Sequence, residues 1–193
     1  VYCEDTRHSR VLLEHYGIPA PLDRYDEHIA AAARPRILAR LADGQAVALI
    51  SDAGTPLVSD PGYKLVHQAI AAGHRVTAVP GASALLTALT ASGLPTDAFF
   101  FAGFLPPKSA ARRSRLEALA RVPGTLLLYE APGRLADCLA DIAAVLGPRD
   151  TVVARELTKL NEELRRGTPA DLAAAFEAAP PRGEIAIVIG PPR

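Results

Sequence analysis

The sequence holds no methionine, no tryptophan and only two cysteines, and no apolar run in it approaches the roughly 20 residues that a membrane-spanning helix needs. With no methionine, the stretch is expected to be part of a longer chain. Its start at Val1-Tyr2-Cys3 reads as a strand already in progress, so an N-terminal segment is expected before it. No signal-like segment opens it, and neither secretion nor membrane anchoring is expected. Cys3 and Cys138 make no CxxC pair and no disulfide framework, which favours a reducing cytoplasm, although a bond between the two stays open. The formal net charge of +0 argues against holding nucleic acid by bulk electrostatics. The charge is uneven, however. Up to Asp97 there are 8 Lys/Arg against 10 Asp/Glu, and beyond it 13 against 11. The later basic residues gather as Lys108, Arg112, Arg113 and Arg115, then as Arg155, Lys159, Arg165 and Arg166. Such clusters are either a solvated helix face or a polyanion contact.

With 49% hydrophobic residues the chain has enough apolar side chains for a real core. Strand and helix signals alternate along it. Ala46 to Ile50 is a continuous apolar run, the pattern of a strand covered on both faces. Asp60-Pro61 reads as a helix start running to about Gly73. A strand over Arg75 to Val79 and a helix over Ala82 to Ser92 follow, closed by Gly93 and Pro95. In a second block, strands are expected at Phe99 to Phe101, Thr125 to Tyr129, Thr151 to Arg155 and Glu184 to Ile189. Helices are expected from Ser109 or Ala110 to about Arg121, from near Leu135 to Leu146 and from near Pro169 to Ala178. This alternation predicts an α/β protein with a mostly parallel sheet and helices on both faces. The stretch Ser92 to Thr96 is the expected boundary between two α/β lobes, 1–96 and 97–193, with a cleft between them.

In open α/β sheets, ligands bind beyond the carboxyl ends of the strands. Ser51-Asp52-Ala53-Gly54-Thr55-Pro56 continues through Ser59-Asp60-Pro61-Gly62 as a long turn of small residues after a strand. Gly54 lets a ligand approach the backbone, and Pro56 stiffens the turn. Val79-Pro80-Gly81-Ala82-Ser83-Ala84 ends the next strand and opens a helix with free N–H groups. There is no GxGxxG fingerprint, no Walker loop and no GxSxG elbow, so dinucleotide, ATP and serine-hydrolase chemistry are poorly supported. His8 and His15 share a helix face without HExxH or a cysteine, and a metal is not expected there. Three polar clusters follow strands: Glu4-Asp5-Thr6-Arg7-His8, Tyr129-Glu130 and Arg155-Glu156-Leu157-Thr158-Lys159; Gly183-Glu184 opens the last one. Asp5 or Thr6 would cap a helix, which accounts for one residue of its cluster and not for five.

These motifs carry a resemblance. Ser51 to Leu57, Ser59 to Gly62 and Pro80-Gly81 resemble the tetrapyrrole methylase superfamily. Glu4-Asp5-Thr6-Arg7, Gly103-Phe104-Leu105-Pro106 with Lys108, Tyr129-Glu130 with Arg134, and Arg155 to Lys159 are similar to one of its branches, which methylates a cytidine 2′-hydroxyl in the decoding centre of small-subunit ribosomal RNA. The resemblance covers essentially the whole chain. It implies S-adenosylmethionine as methyl donor in a cleft between the lobes, a homodimer, and a cytoplasmic protein. Gly54-Thr55-Pro56 stands where corrin-pathway relatives carry Gly-Asp-Pro. The implied donor-binding residues are Asp52, Ala53, Gly54, Thr55, Pro56, Val58, Pro80, Gly81, Ser83, Ala84, Glu130, Ala131, Glu184 and Ile185. The family's first strand and Gly-rich loop have no counterpart in these residues, and nor does the C-terminal extension of some members.

A ribose hydroxyl is a poor nucleophile and benefits from a base or from a cation that favours its alkoxide. The candidates are Glu130 or Asp5 as base and Lys159 as the cation, with Glu156 and Arg155 positioning the site. Arg7, Lys108, Arg112, Arg113 and Arg155 are the expected RNA contacts, with Arg115 beside them. Three rival readings differ in class: a corrin or porphyrin precursor methyltransferase, a hydrolase using Ser51 or Asp52, and a non-catalytic RNA-binding module.

Overall fold

The computed structural model describes residues 1–192. The chain divides into two compact units, Val1–Ser83 and Ala84–Arg193. The division precedes the helix that sequence reading assigns to the end of the first lobe.

In the first unit, β1 (Tyr2–Cys3) pairs in parallel with β2 (Asp23–Arg24). Between them α1 (Thr6–His15) is capped by Asp5, whose side chain accepts the Arg7 N–H. The helices α2 (Ala30–Ala42) and α3 (Tyr63–Ala71) complete the unit. Tyr2, Tyr25, Ala30, Ala33, Ile37 and Leu65 form its core, with Val47 and Leu49 against it. The run Ala46 to Ile50 does not form the expected full strand. It lies alongside β1, with Tyr2 N–H donating to Ala48 O at 2.8 Å and Ile50 N–H to Tyr2 O at 2.9 Å, and its pairing among the described residues is a single bridge at Leu49. The expected strand at Arg75 to Val79 does not form, and its residues are mostly exposed. An extended segment becomes a strand only when a neighbour takes up its N–H and C=O groups, and none of the described residues does so here. The expected start of α3 at Asp60-Pro61 moves to Tyr63, because the Asp60 carboxylate binds Ser51 instead of capping.

The second unit is built on a five-stranded sheet of order β3-β4-β7-β5-β6. Its strands are β3 (Phe99–Phe104), β4 (Thr125–Glu130), β5 (Thr151–Arg155), β6 (Glu163–Gly167) and β7 (Ile185–Ile189). The sheet is mixed: β3 and β4 run parallel, and the other three pairings are antiparallel. The strand alternation sorts side chains to two faces. Leu126, Leu128, Val153, Ile185, Ile187 and Ile189 meet α5 (Ser109–Leu119), α6 (Leu135–Leu146) and α7 (Pro169–Ala178). Leu127, Val152, Ala154, Ala186 and Val188 meet Ala88 and Leu89 of α4 (Ala84–Ser92). Burial on both faces is why the middles of β4 and β5 and the whole of β7 read as apolar runs.

No helix among the described residues is long and apolar enough to cross a membrane. Cys3 and Cys138 are both buried and free.

Candidate functional site

In the first unit the structure gathers three of the sequence motifs. The Asp5 N–H points to the Asp52 carboxylate at 3.4 Å, which brings the end of β1 beside the Ser51 to Pro56 turn. The Thr55 hydroxyl donates to Ala82 O at 2.9 Å and so ties that turn to the Pro80 to Ser83 loop. Ser51 is held by the Asp60 carboxylate, and Val58 N–H closes the turn on Thr55 O at 3.3 Å. Gly54 has a φ of 73°, and a Cβ there would stand no nearer than 3.9 Å, from Ala82 O; at Gly81 nothing lies within 4 Å. Ala53, Gly54, Pro80 and Gly81 are exposed, and Asp52, Thr55, Pro56 and Val58 are half-buried. A shallow recess beside the turn is lined by Glu4, Tyr25, Leu49, Ile50, Ser51, Pro56, Asp60 and Pro61. Burial raises the Glu4 carboxyl above its ordinary pKa, and the charges of Asp60 and Asp52 add to the rise. Burial likewise raises Asp60, against the opposing hydrogen bond from Ser51. Carboxylates crowded in this way favour a cationic ligand.

Asp5 is not suited to act as a base. Its carboxylate accepts the Arg7 backbone N–H at 2.8 Å and the Arg7 guanidinium at 3.2 and 2.8 Å. The side-chain bond and then the backbone bond from Arg7 hold its pKa far below the usual range, and a carboxylate so depressed is a weak proton acceptor. Arg7 is exposed but committed to Asp5.

In the second unit the clearest cluster lies where β5 ends and β7 begins. The Lys159 ammonium sits 3.0 Å from Glu156 Oε1 and 3.0 Å from Glu184 Oε2. Glu156 Oε1 also accepts the Glu184 N–H at 2.9 Å. The hydrogen bonds to Glu184 and Glu156 raise the Lys159 pKa, so the group stays cationic at neutral pH. Glu156 is lowered, first by the Glu184 N–H and then by Lys159. The turn that presents Lys159 is strained: Glu156 has φ 50° and Thr158 φ 65°. A β-branched residue in this region is unusual, and such strain costs on the order of 1–3 kcal/mol per residue. Arg155 is half-buried, with its Nε 3.0 Å from Glu163 Oε2.

Other expected residues fall elsewhere. Glu130 is 3% exposed; its Oε1 accepts the Ala131 N–H at 2.7 Å and pairs with Arg134 at 2.5 Å. This geometry organises the turn after β4 and leaves Glu130 poorly placed to meet a substrate. Ile185 is buried in the sheet core, so only its backbone is available to a ligand. Ser83 and Ala84 follow the Pro80-Gly81 loop at the start of α4. Arg112, expected among the RNA contacts, is turned away from solvent. It is 3% exposed, with Nε 2.7 Å from Asp141 Oδ2, because α5 turns this residue onto α6. Arg113 reaches the same carboxylate at 2.5 Å but stays half exposed, whereas Lys108 and Arg115 are exposed. Sequence reasoning passed over Glu162 and the clearance at Gly183, which brace the Lys159 turn, and Glu163, which pairs with Arg155 and Arg165. Nothing in their residue types marks them, because a glutamate in a polar turn is ordinary.

The family model of the tetrapyrrole (corrin/porphyrin) methylases matches residues 1–173. The chain belongs to the tetrapyrrole methylase family. Within this family it is 58% identical over 193 residues to a Mesorhizobium japonicum protein named ribosomal RNA small subunit methyltransferase I, covering 99% of this chain and 66% of that protein. A protein of the same name from Xylella fastidiosa is 51% identical over 192 residues, with 98% and 70% covered. The chain thus spans about two thirds of the length of these curated relatives. Among solved structures of the fold, uroporphyrin-III C-methyl transferase from Thermus thermophilus, complexed with S-adenyl homocysteine, aligns with a TM-score of 0.60 at 22% identity, covering 98% of this chain and 84% of that one.

Proposed function

We propose that this tetrapyrrole methylase family chain carries the S-adenosylmethionine-dependent 2′-O-methylation of a cytidine in small-subunit ribosomal RNA. The observation that supports this most is its 58% identity, across nearly its whole length, to a protein named for that class of reaction. The structure is compatible with the donor. Open backbone at Gly54 and Gly81, joined through Thr55 and Ala82, offers a wall without side chains, and the nearby acidic recess suits a cation. Asp52 to Pro56, Val58 and Pro80 to Ala84 are assigned to the donor, and so, by family position alone, are Ala131, Glu184 and the Ile185 backbone. S-adenosylmethionine, when bound, supplies an electrophilic methyl group on a sulfonium.

The protein's part is positioning: the ribose hydroxyl has to be held near 3 Å from the methyl carbon and opposite the sulfur. Lys159 is the group we assign to the hydroxyl. Two of its three N–H donors are taken by Glu156 and Glu184, and the third is left for a substrate oxygen on which negative charge develops. Glu156 positions Lys159. Asp5 and Glu130 shape their turns, and we assign neither as the base; the hydroxyl proton is released to solvent water as the Lys159 cation stabilises the developing alkoxide. Lys108, Arg113 and Arg115 are the side chains of the α5 region available to RNA phosphates, with Arg155 nearer the turn. A homodimer and a cytoplasmic location are part of this reading, through family membership and the site of ribosome assembly.

The test is transfer of radiolabelled methyl from S-adenosylmethionine to small ribosomal subunits by the full-length protein, followed by mapping of the modified nucleotide. Label on a cytidine ribose supports the proposal. Label on a tetrapyrrole and none on RNA would replace it with precursor methylation, and RNA binding indifferent to donor with no transfer would reduce the protein to a binding module.

A further inference from the structure

The turn that carries Lys159 is held by contacts beyond the two carboxylates on its ammonium. The Thr158 N–H, on a residue with φ 65°, donates to Glu162 Oε2 at 2.6 Å. Lys159 N–H returns to Glu156 O at 3.0 Å, and Glu162 N–H to Lys159 O at 3.1 Å. Across the sheet end, Glu156 N–H donates to Glu184 O at 3.0 Å, continuing the β5–β7 ladder by one rung. The Glu156 side chain then folds back over Gly183. A Cβ at that residue would lie 2.4 Å from Glu156 Cδ and 2.4 Å from Oε1, and the Gly183 φ is +92°. A side chain there is therefore strained by the backbone and would push the Glu156 carboxylate out of its place.

We propose that Glu162 and Gly183 are positioning residues for the Lys159 ammonium. Glu162 pins the left-handed backbone at Thr158, and Gly183 clears the place where the Glu156 carboxylate holds Lys159 from one side. The proposal rests on the reading of Lys159 as the cation that meets the substrate hydroxyl. Glu156 from its own turn and Glu184 from the start of β7 are the charged groups facing the ammonium. Arg155 is turned toward Glu163 and the Arg182 carbonyl, and Glu162 is spent on the Thr158 N–H. With the turn loosened, the ammonium keeps its charge but loses its fixed direction. Misplacement of a reacting group by about 1 Å costs up to a hundredfold in rate.

The experiment compares wild type, Glu162→Ala, Glu162→Gln and Gly183→Ala in the full-length protein, with two readouts. One is methyl transfer to small ribosomal subunits, separated into kcat and KM. The other is the NMR titration of the Lys159 side chain, assigned by its loss in Lys159→Arg. Glu162→Ala is expected to lower kcat by roughly ten- to a hundredfold at near-constant KM, and to bring the Lys159 titration down toward that of a free lysine. Glu162→Gln is expected to restore both, because its amide oxygen accepts the Thr158 N–H. Gly183→Ala is expected to behave as Glu162→Ala does, and the Glu162 pair decides the matter where Gly183→Ala fails to fold. An unchanged Lys159 titration with unchanged kcat in Glu162→Ala overturns the proposal, and so does a Gln variant no better than Ala. Absence of transfer in wild type sinks the RNA methylation reading instead, and leaves the Lys159 titration to judge the positioning on its own.

Discussion

The Thr55 hydroxyl donates to the Ala82 carbonyl oxygen at 2.9 Å, a single bond between residues 27 apart in sequence that joins the two glycine-bearing loops of the first unit. Donor binding should therefore depend on it more than folding does. Thr55→Val keeps the shape and removes the donor, leaving an exposed carbonyl that water can satisfy, so stability should fall by no more than about 0.5–1.5 kcal/mol. The affinity for S-adenosylhomocysteine, measured by calorimetry on the full-length protein, should fall several-fold, and Thr55→Ser should recover most of it. Equal affinity in wild type and Thr55→Val would show that the two loops need no tie.

Lys159 should matter to turnover and little to stability, since its ion pairs are partly exposed and such pairs contribute at most about 1 kcal/mol. Lys159→Met should reduce kcat on small ribosomal subunits by roughly a hundredfold or more while the donor affinity stays within a few-fold. A variant with near-normal kcat would remove Lys159 from the chemistry.

Asp141 should govern the stability of the second unit. It is 3% exposed and accepts Ser109, Arg112 and Arg113 together. Asp141→Ala leaves the buried Arg112 guanidinium without its counter-charge, with only the Pro107 carbonyl to accept from it, and is expected to cost about 3–5 kcal/mol in urea unfolding. Arg112→Ala should be of the same order, which would separate it from the exposed Lys108 and Arg115.

The pH dependence follows from the same residue. Burial raises the Asp141 pKa, but the hydrogen bonds from Arg113, Arg112 and Ser109 outweigh this and leave it lowered. A carboxylate lowered in the fold binds fewer protons there than in the unfolded chain, so its stabilisation is complete above the unfolded value of about 4. It disappears as pH falls through the folded value. Unfolding free energy measured from about pH 5 downward should drop more steeply for wild type than for Asp141→Asn. Parallel slopes would place the acid sensitivity elsewhere.

For RNA, Lys108→Ala with Arg115→Ala should weaken binding to small subunits and reduce the salt slope, by about 0.7–0.9 for each phosphate that is no longer neutralised. Unchanged affinity and slope would leave these two side chains as a solvated helix face.

The second unit was legible in detail because its central strands β4, β5 and β7 are buried on both faces. Leu126 to Leu128 and Ile185 to Ile189 are apolar without interruption, the helix Leu135 to Leu146 stops at Gly147, and Thr168-Pro169 starts the helix Pro169 to Ala178. β6 escaped notice, since Glu163-Leu164-Arg165-Arg166-Gly167 at a sheet edge needs no apolar pattern. The family could also be read from residue order alone, as a turn such as Ser51 to Pro56 is specified by small, stiff residues in sequence. What only the tertiary structure decided is pairing. Whether Arg75 to Val79 becomes a strand depends on a neighbour, and Arg112 and Arg115 differ only in the face of α5 that each occupies. Glu156, Gly183 and Lys159 meet because β5 and β7 run antiparallel side by side, which joins segments separated by a whole helix and a strand. Local propensity does not encode such meetings; burial and backbone pairing across the sheet do.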